Sequence, residues 1–298
     1  MRSYGKGTVF TVLCAFAAFC TGCIKDISSE IPDSGPKITL NGFFNPRVPV
    51  VVSITQSANV LDTLGNKYLV NARGYLYEND LLVDSLTYLE ALKYHVAAGL
   101  FKPRPGNTYR LDIRSAGMDP VTARSPLPDS VAVLPTSLDT LFYPSIGQDT
   151  YWLRIRFQDP PAPGDFYHLV LYRNRLHGDG IWRPEALCYE SADPVFDALA
   201  KQGCAGGMFT DNAFNGQQKE ILVNTRRRLN AHLNDSVQFL VELRHGSEPY
   251  YLYNKSLMIY KNGQSNIFAQ PAPIVGNVAG GYGIFAGYAP VTDTVKLH

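Results

Sequence analysis

Between residues 37 and 128, apolar and polar positions alternate in short runs separated by turn-forming clusters. Val48–Ile54 is β-branched and alternating, and Ala72–Tyr77 alternates until it meets Glu78-Asn79-Asp80. Leu81–Val83 is therefore expected to return as the second arm of a hairpin. Pro105-Gly106-Asn107 marks a further turn. In the Thr108–Ile113 run that follows, Tyr109, Leu111 and Ile113 fall on one face and polar residues on the other. A period of two with one apolar face is the pattern of a sheet packed on one side. Leu86–Leu100 also carries a helical period, but strand followed by loop fits its β-rich surroundings better.

Ser125-Pro126-Leu127-Pro128-Asp129 breaks the pattern, because two prolines flanking one residue continue neither a helix nor a central strand. A domain boundary is expected there. Beyond it, Tyr151–Phe157 and Phe166–Arg173 both alternate and are predicted to pair antiparallel across the rigid Asp159–Gly164 connection. Ser236–Arg244 and Tyr250–Tyr260 are predicted as a second pair across Gly246-Ser247-Glu248-Pro249, and Asp211–Gly216 as a turn before a strand over Lys219–Asn224. One helix is predicted: Asp193 caps it, Pro194 suits its first position, Val195, Phe196 and Leu199 share a side, and Gly203 ends it. The expected fold is all-β, with two β-sandwich domains in tandem at 37–128 and 129–298. A loop-and-helix insertion at 174–210, carrying one short helix, interrupts the second.

The first residues follow a different pattern. Arg2 and Lys6 precede an apolar run from Val9 to Cys20. That length matches the about 7–15 residues of a signal-peptide core and falls short of the roughly 18 that span a bilayer. Thr21-Gly22-Cys23 resembles the bacterial lipobox, in which a small residue precedes a cysteine that is acylated after cleavage. Residues 1–22 are thus expected to be a lipoprotein signal peptide, Cys23 the lipid anchor, and residues 23–36, polar and broken by Pro32, Gly35 and Pro36, a flexible tether. Lys25-Asp26 weakly resembles the signal that sends some lipoproteins to the cell surface, so either face of the outer membrane stays open. Of the five cysteines, Cys188 and Cys204 are left as an even pair, either disulfide-bonded or buried as thiols.

Composition narrows the function classes. Hydrophobic residues make up 45% and charged residues 18%, a globular balance, and 27 basic against 26 acidic residues lack the basic excess of a nucleic-acid binder. Loss of Arg2 and Lys6 with the leader turns the net charge from +1 to −1. Gly281-x-Gly283-x-x-x-Gly287 lacks dinucleotide-fingerprint spacing and is better explained as a closing strand in which glycine allows close backbone approach. No hydrolase elbow, phosphate loop or zinc-protease motif occurs, and His95, His168, His177, His232, His245 and His298 show no ligand spacing. No metal and no cofactor are expected; Asp211, Asn212 and Asn215 carry the oxygen ligands of a Ca²⁺ loop but not its spacing, and a turn accounts for them better. Glu185, Glu190, Asp193 and Asp197 cluster in sequence, as a carboxylate pair for hydrolysis or as a solvated surface. His177, Trp182, Arg183 and Tyr189 lie between turn-forming glycines, and aromatic and Arg residues on long loops are common at binding surfaces. With Tyr251 they form the candidate partner or ligand surface, the alternative being a loop that covers the core.

The chain's end carries a recognisable pattern: Asn266-x-Phe268-x-x-Pro271, then Gly281-x-Gly283-Ile284-Phe285-x-x-Tyr288. It resembles the Bacteroidota outer-membrane lipoprotein family catalogued as domain of unknown function 4249, as do the Pro105 turn, the Pro126 linker, the Asp211–Gly216 turn and Tyr250-Tyr251. The resemblance implies an Ig-like sandwich layout and a non-enzymatic accessory role beside a TonB-dependent outer-membrane transporter, with no catalytic residues to carry over. The alternatives are a surface protein that binds a glycan or solute alone, through Trp182 and Tyr251, and a hydrolase with an unrecognised carboxylate pair. Asp followed by Ser or Thr and an aliphatic residue recurs, ending on Thr63, Ser85, Ser130, Thr140, Ser236 and Thr294. This resembles an O-glycosylation motif of exported proteins of that phylum, although turns also enter strands this way.

Overall fold

A computed structural model describes residues 35–58, 67–143, 148–197, 202–203, 206–228, 237–263 and 272–296. Alternation becomes strand nearly wherever the sequence shows it. The first half holds β1 (Ile38–Phe44), β2 (Val51–Gln56), β3 (Lys67–Tyr68), β4 (Arg73–Glu78), β5 (Leu81–Leu89), β6 (Tyr94–Ala97), β7 (Thr108–Arg114) and β8 (Val121–Pro126). β4 and β5 form the expected hairpin, with Tyr77 opposite Leu82 and Glu78 opposite Leu81. Its two turn residues, Asn79 and Asp80, both sit at positive φ (49° and 66°), the conformation that matches the twist of the flanking strands. Tyr109, Leu111 and Ile113 are fully buried on one face of β7, each such side chain contributing roughly 1.5–3 kcal/mol by leaving water. The stretch from Leu86 is strand and loop, as the end of β5 and β6.

The second half holds β9 (Ala132–Tyr143), β10 (Gln148–Gln158), β11 (Phe166–Leu176), β12 (Trp182–Ala186), β13 (Tyr189–Glu190), β14 (Gln202–Gly203), β15 (Gly207–Thr210), β16 (Gln218–Arg228), β17 (Val237–Gly246), the helix α1 (Glu248–Gly263), β18 (Val278–Ala279) and β19 (Tyr282–Lys296). Here three sequence expectations are corrected. β10 and β11 are strands, but they do not pair with each other. β10 lies between β9 and β16 in one sheet, and β11 pairs with β12, β15 and β17 in another. Both have apolar faces that demand cover, and they cover each other across the sandwich: the Phe157 and Tyr167 rings lie 5.0 Å apart. The Asp159–Asp165 loop therefore crosses between sheets rather than closing a hairpin.

Residues 250–260 are helix, not strand. Ser247 caps it, with its carbonyl accepting from Tyr251 N at 3.0 Å and its hydroxyl from Tyr250 N at 3.3 Å. Glu248 in the first turn and Lys261 in the last complement the helix dipole. Those end signals outweigh the strand preference of Tyr and Ile, and the helix settles Tyr250 and Tyr251 against Ile284, Ala286 and Met208. Conversely, no helix starts at Asp193. Its carboxylate accepts from Val195 N at 3.0 Å and its carbonyl from Phe196 N at 3.2 Å, a single turn that drops Phe196 into the core. The chain then returns at Gln202–Gly203 to pair with Tyr189–Glu190, and residues 198–201 lie outside the described set.

One long sheet runs β12-β11-β17-β19-β1-β2-β6-β5-β4-β7-β8-β18, and a five-stranded sheet, β14-β13-β16-β10-β9, faces the second core. The two large cores divide by chain half, but β19 serves both. Its first residues pair parallel with β1 and place Phe285 in the first core; its later residues pair antiparallel with β17 and pack Val295 on the second. The glycines of the terminal motif make this possible. Gly283 has φ +106° and lies so close to β1 that a Cβ would collide with the Leu40 carbonyl. From Pro36 onward the chain clusters as one compact unit.

Candidate functional site

The expected surface loop is the β11–β12 hairpin. His177 N donates to Ile181 O at 3.1 Å and Gly180 N to His177 O at 2.9 Å, closing its tip. Ile181 (54% exposed) and Trp182 (39%) stand in solvent there, and among the described residues β12 is one end of the long sheet. Arg183 binds Asp179 at 2.5 Å and Arg173 binds Glu185 at 2.5 Å, so the charges brace the hairpin. Two predicted members do not belong to this surface. Tyr189 is 2% exposed; its hydroxyl donates to Leu169 O at 2.9 Å and accepts from Gly207 N at 2.6 Å. Tyr251 is 7% exposed, its ring 5.0 Å from that of Phe166 on the inner side of α1. Both are aromatic rings that a β-rich chain spends on its core, which spacing in sequence does not reveal. The β5–β6 turn, by contrast, exposes Leu89, Leu92 and Tyr94, a second apolar tip that alternation alone did not single out.

Cys188 is disulfide-bonded. The neighbouring register sets Tyr189 against Gly203, and Cys204 itself lies outside the described residues. The carboxylates of this segment are held by different parts of the chain. Glu185 is held below the ordinary range by its hydrogen bond to Arg173, the reverse of what a general acid requires. Asp193 binds Lys219 Nζ at 2.9 Å, Asp197 lies 3.6 Å from Lys255 Nζ, and Glu190 sits in β13 opposite Asn224.

Carboxylates do converge elsewhere. Because β10 and β11 belong to different sheets, the loop joining them meets the loop joining β15 to β16 at one end of the sandwich. Asp159, Asp165 and Asp211 each bring an oxygen within 4.8 Å of the other two. Asp159 is filled: Oδ1 accepts from the Tyr167 hydroxyl at 2.5 Å and Oδ2 from Gly216 N at 2.7 Å. Asp211 Oδ2 accepts from Gly164 N at 2.9 Å, and Asp165 Oδ1 lies 2.8 Å from His245 Nε2. The remaining oxygens, Asp165 Oδ2 and Asp211 Oδ1, are sealed from solvent with no hydrogen-bond partner. Burial pushes the Asp165 carboxyl up, against the pull of His245. On the opposite side of its ring, His245 Nδ1 lies 2.7 Å from the Asp129 carbonyl and must donate to it. Asp159, Asp165 and His245 were not picked out from the sequence. The one available signal was an Asp at each end of a Pro-rich connection and another opening the Asp211–Gly216 turn.

The sequence model of a family described as "Domain of unknown function (DUF4249)" matches residues 24–294. The chain belongs to this family. The match begins immediately after Cys23 and reaches into β19, so both sandwich cores and the acidic loops lie inside the DUF4249 region. No curated protein matches the chain. Within the DUF4249 region, Asn277 shows what the terminal motif does. Its side chain donates to Arg124 O at 3.0 Å and Phe285 O at 2.8 Å and accepts from Phe285 N at 2.9 Å, tying β8 to β19. Of the six Asp-Ser/Thr positions, Ser85, Ser130, Thr140 and Thr294 are exposed, and Thr63 and Ser236 lie outside the described residues, as does Cys23. No described helix is long and apolar enough to cross a membrane.

Proposed function

We propose that this DUF4249 protein is an outer-membrane lipoprotein, anchored through Cys23, that acts by binding rather than catalysis as an accessory of a TonB-dependent transporter. The observation that carries the reading is the β11–β12 hairpin, where Ile181 and Trp182 stand exposed on an edge strand braced by the Arg173–Glu185 and Arg183–Asp179 pairs. A rigid tip with an aromatic anchor is the kind of feature that concentrates binding energy at protein interfaces. An apolar leader pattern running up to Thr21-Gly22 just before Cys23, and a family region beginning at residue 24, support the anchor. We further infer that Cys188 is bonded to Cys204, since the Tyr189–Gly203 pairing brings the two ends of that excursion together.

The test is extraction of the tagged full chain from native membranes in mild detergent, with mass spectrometry of what accompanies it. One transporter is expected with the wild type, and little of it with Trp182→Ala/Arg183→Ala. Cys23→Ala is expected to leave the membrane fraction. Recovery of the wild type alone, or of the transporter undiminished with the double variant, overturns the accessory role.

A further inference from the structure

The acidic cluster at the sandwich end has no part in that reading and stands on different evidence. Burying a carboxylate oxygen without a partner costs more than almost any other polar burial, because the charge forfeits its hydration. Here two such oxygens, Asp165 Oδ2 and Asp211 Oδ1, are sealed and unpartnered among three carboxylates whose oxygens approach within 4.8 Å. Asp211 is 1% exposed, so bulk solvent does not reach it. Among the described residues, no Lys or Arg forms an ion pair with any of the three.

His245 Nδ1 donates to the Asp129 carbonyl, so a single proton serves the His245 Nε2–Asp165 Oδ1 contact, on one partner or the other. Gly164 N holds Asp211, Gly216 N and the Tyr167 hydroxyl hold Asp159, and Asn215 Nδ2 reaches Pro161 O at 3.5 Å, so the two loops hold the carboxylates in place. The site is therefore preorganised and built of carboxylate oxygen.

We propose that Asp159, Asp165 and Asp211 bind one hard divalent cation, Ca²⁺, which clamps the β10–β11 loop to the β15–β16 loop. Oxygen donors select the hard cations over zinc or copper. Ca²⁺ accepts irregular cages of carboxylate and other oxygens, whereas Mg²⁺ demands a near-ideal octahedron and dehydrates reluctantly, so a site shaped by two crossing loops suits Ca²⁺ better. His245 orients Asp165 from behind, as a positioning residue.

The experiment uses the full chain in detergent, stripped with chelator and titrated with Ca²⁺, Mg²⁺ and Tb³⁺. Equilibrium dialysis with radioactive Ca²⁺ is expected to give one saturable site per chain, and Ca²⁺ to raise the melting temperature by ~5 °C or more. Tb³⁺ is expected to show luminescence sensitised by the adjacent Tyr167, lost when Ca²⁺ displaces it. Asp165→Asn and Asp211→Asn are expected to weaken uptake by about tenfold or more, and Glu78→Gln, in the other sandwich, to leave it unchanged. If Asp211→Asn does not fold, Asp165→Asn decides, because its side-chain amide can still hydrogen-bond His245 Nε2. No saturable uptake up to roughly 5 mM Ca²⁺, beyond the weakest extracellular sites, overturns the proposal. So does uptake undiminished in a folded Asp165→Asn chain.

Discussion

Each half of the described chain withdraws acidic side chains from water, and the two do it in opposite ways. In the first, Glu78 is met from every side: Arg104 donates to both its oxygens, the Tyr109 hydroxyl to Oε1 at 2.5 Å, and Asn107 Nδ2 to the same oxygen at 3.2 Å. Its carboxyl is held below the ordinary value, chiefly by the Arg104 hydrogen bond, while burial pushes the Tyr109 hydroxyl up to about 12. In the second, three aspartates receive only backbone amides, one hydroxyl and one imidazole, and two oxygens receive nothing. The first site brings its own cation from the Pro105 turn. The second needs one from outside. A buried negative charge is satisfied either way, but only the second arrangement makes stability answer to the medium.

The sharpest way to break this contrast is to remove Glu78. Glu78→Ala leaves the Tyr109 hydroxyl and Asn107 without their main acceptor and is expected to cost about 2–3 kcal/mol in denaturant unfolding. The cost should be equal with Ca²⁺ or with chelator; a Ca²⁺-dependent cost would mean that the two sites are coupled through β19. Next in size, Asp165→Asn should act with opposite sign in the two media. In chelator it is expected to stabilise by on the order of 1 kcal/mol, since relieved repulsion outweighs the weakened attraction to His245. In Ca²⁺ it should be less stable than the wild type, and thermal melts in the two media read both signs.

The smallest expected effect concerns acid. Because the Glu78 carboxyl is lowered in the folded state from its ordinary 4.5, its stabilisation is complete above that value and lost as pH falls through the folded one. Wild type in chelator should therefore lose stability below about pH 4.5 more steeply than Glu78→Gln does. Parallel curves would mean that Arg104 does not hold the carboxylate in solution.

Much of this molecule followed from local pattern. Two-residue alternation marked β4, β7, β10 and β16, because a strand with one buried face can be written in no other way, while β11 is buried on both faces over Tyr167–Leu171. The Asn79-Asp80 turn followed from side chains that tolerate positive φ, and the terminal glycines from a backbone approach that no Cβ permits. What the chain could not show locally was partnership. Whether β10 pairs beside β11 or packs over it depends on strands up to 80 residues away, and both choices bury the same alternating face. The same ambiguity hid Tyr189 and Tyr251 in the core, and made a helix with a Ser247 cap look like a strand of tyrosines. The acidic cluster is the clearest case. Asp159, Asp165 and Asp211 each sit at a turn for ordinary local reasons, and only the crossing of two loops between two sheets brings their charges together. Propensity and periodicity act over a few residues and so determined the strands. Charge proximity is a property of the packed chain, and only the tertiary structure decided it.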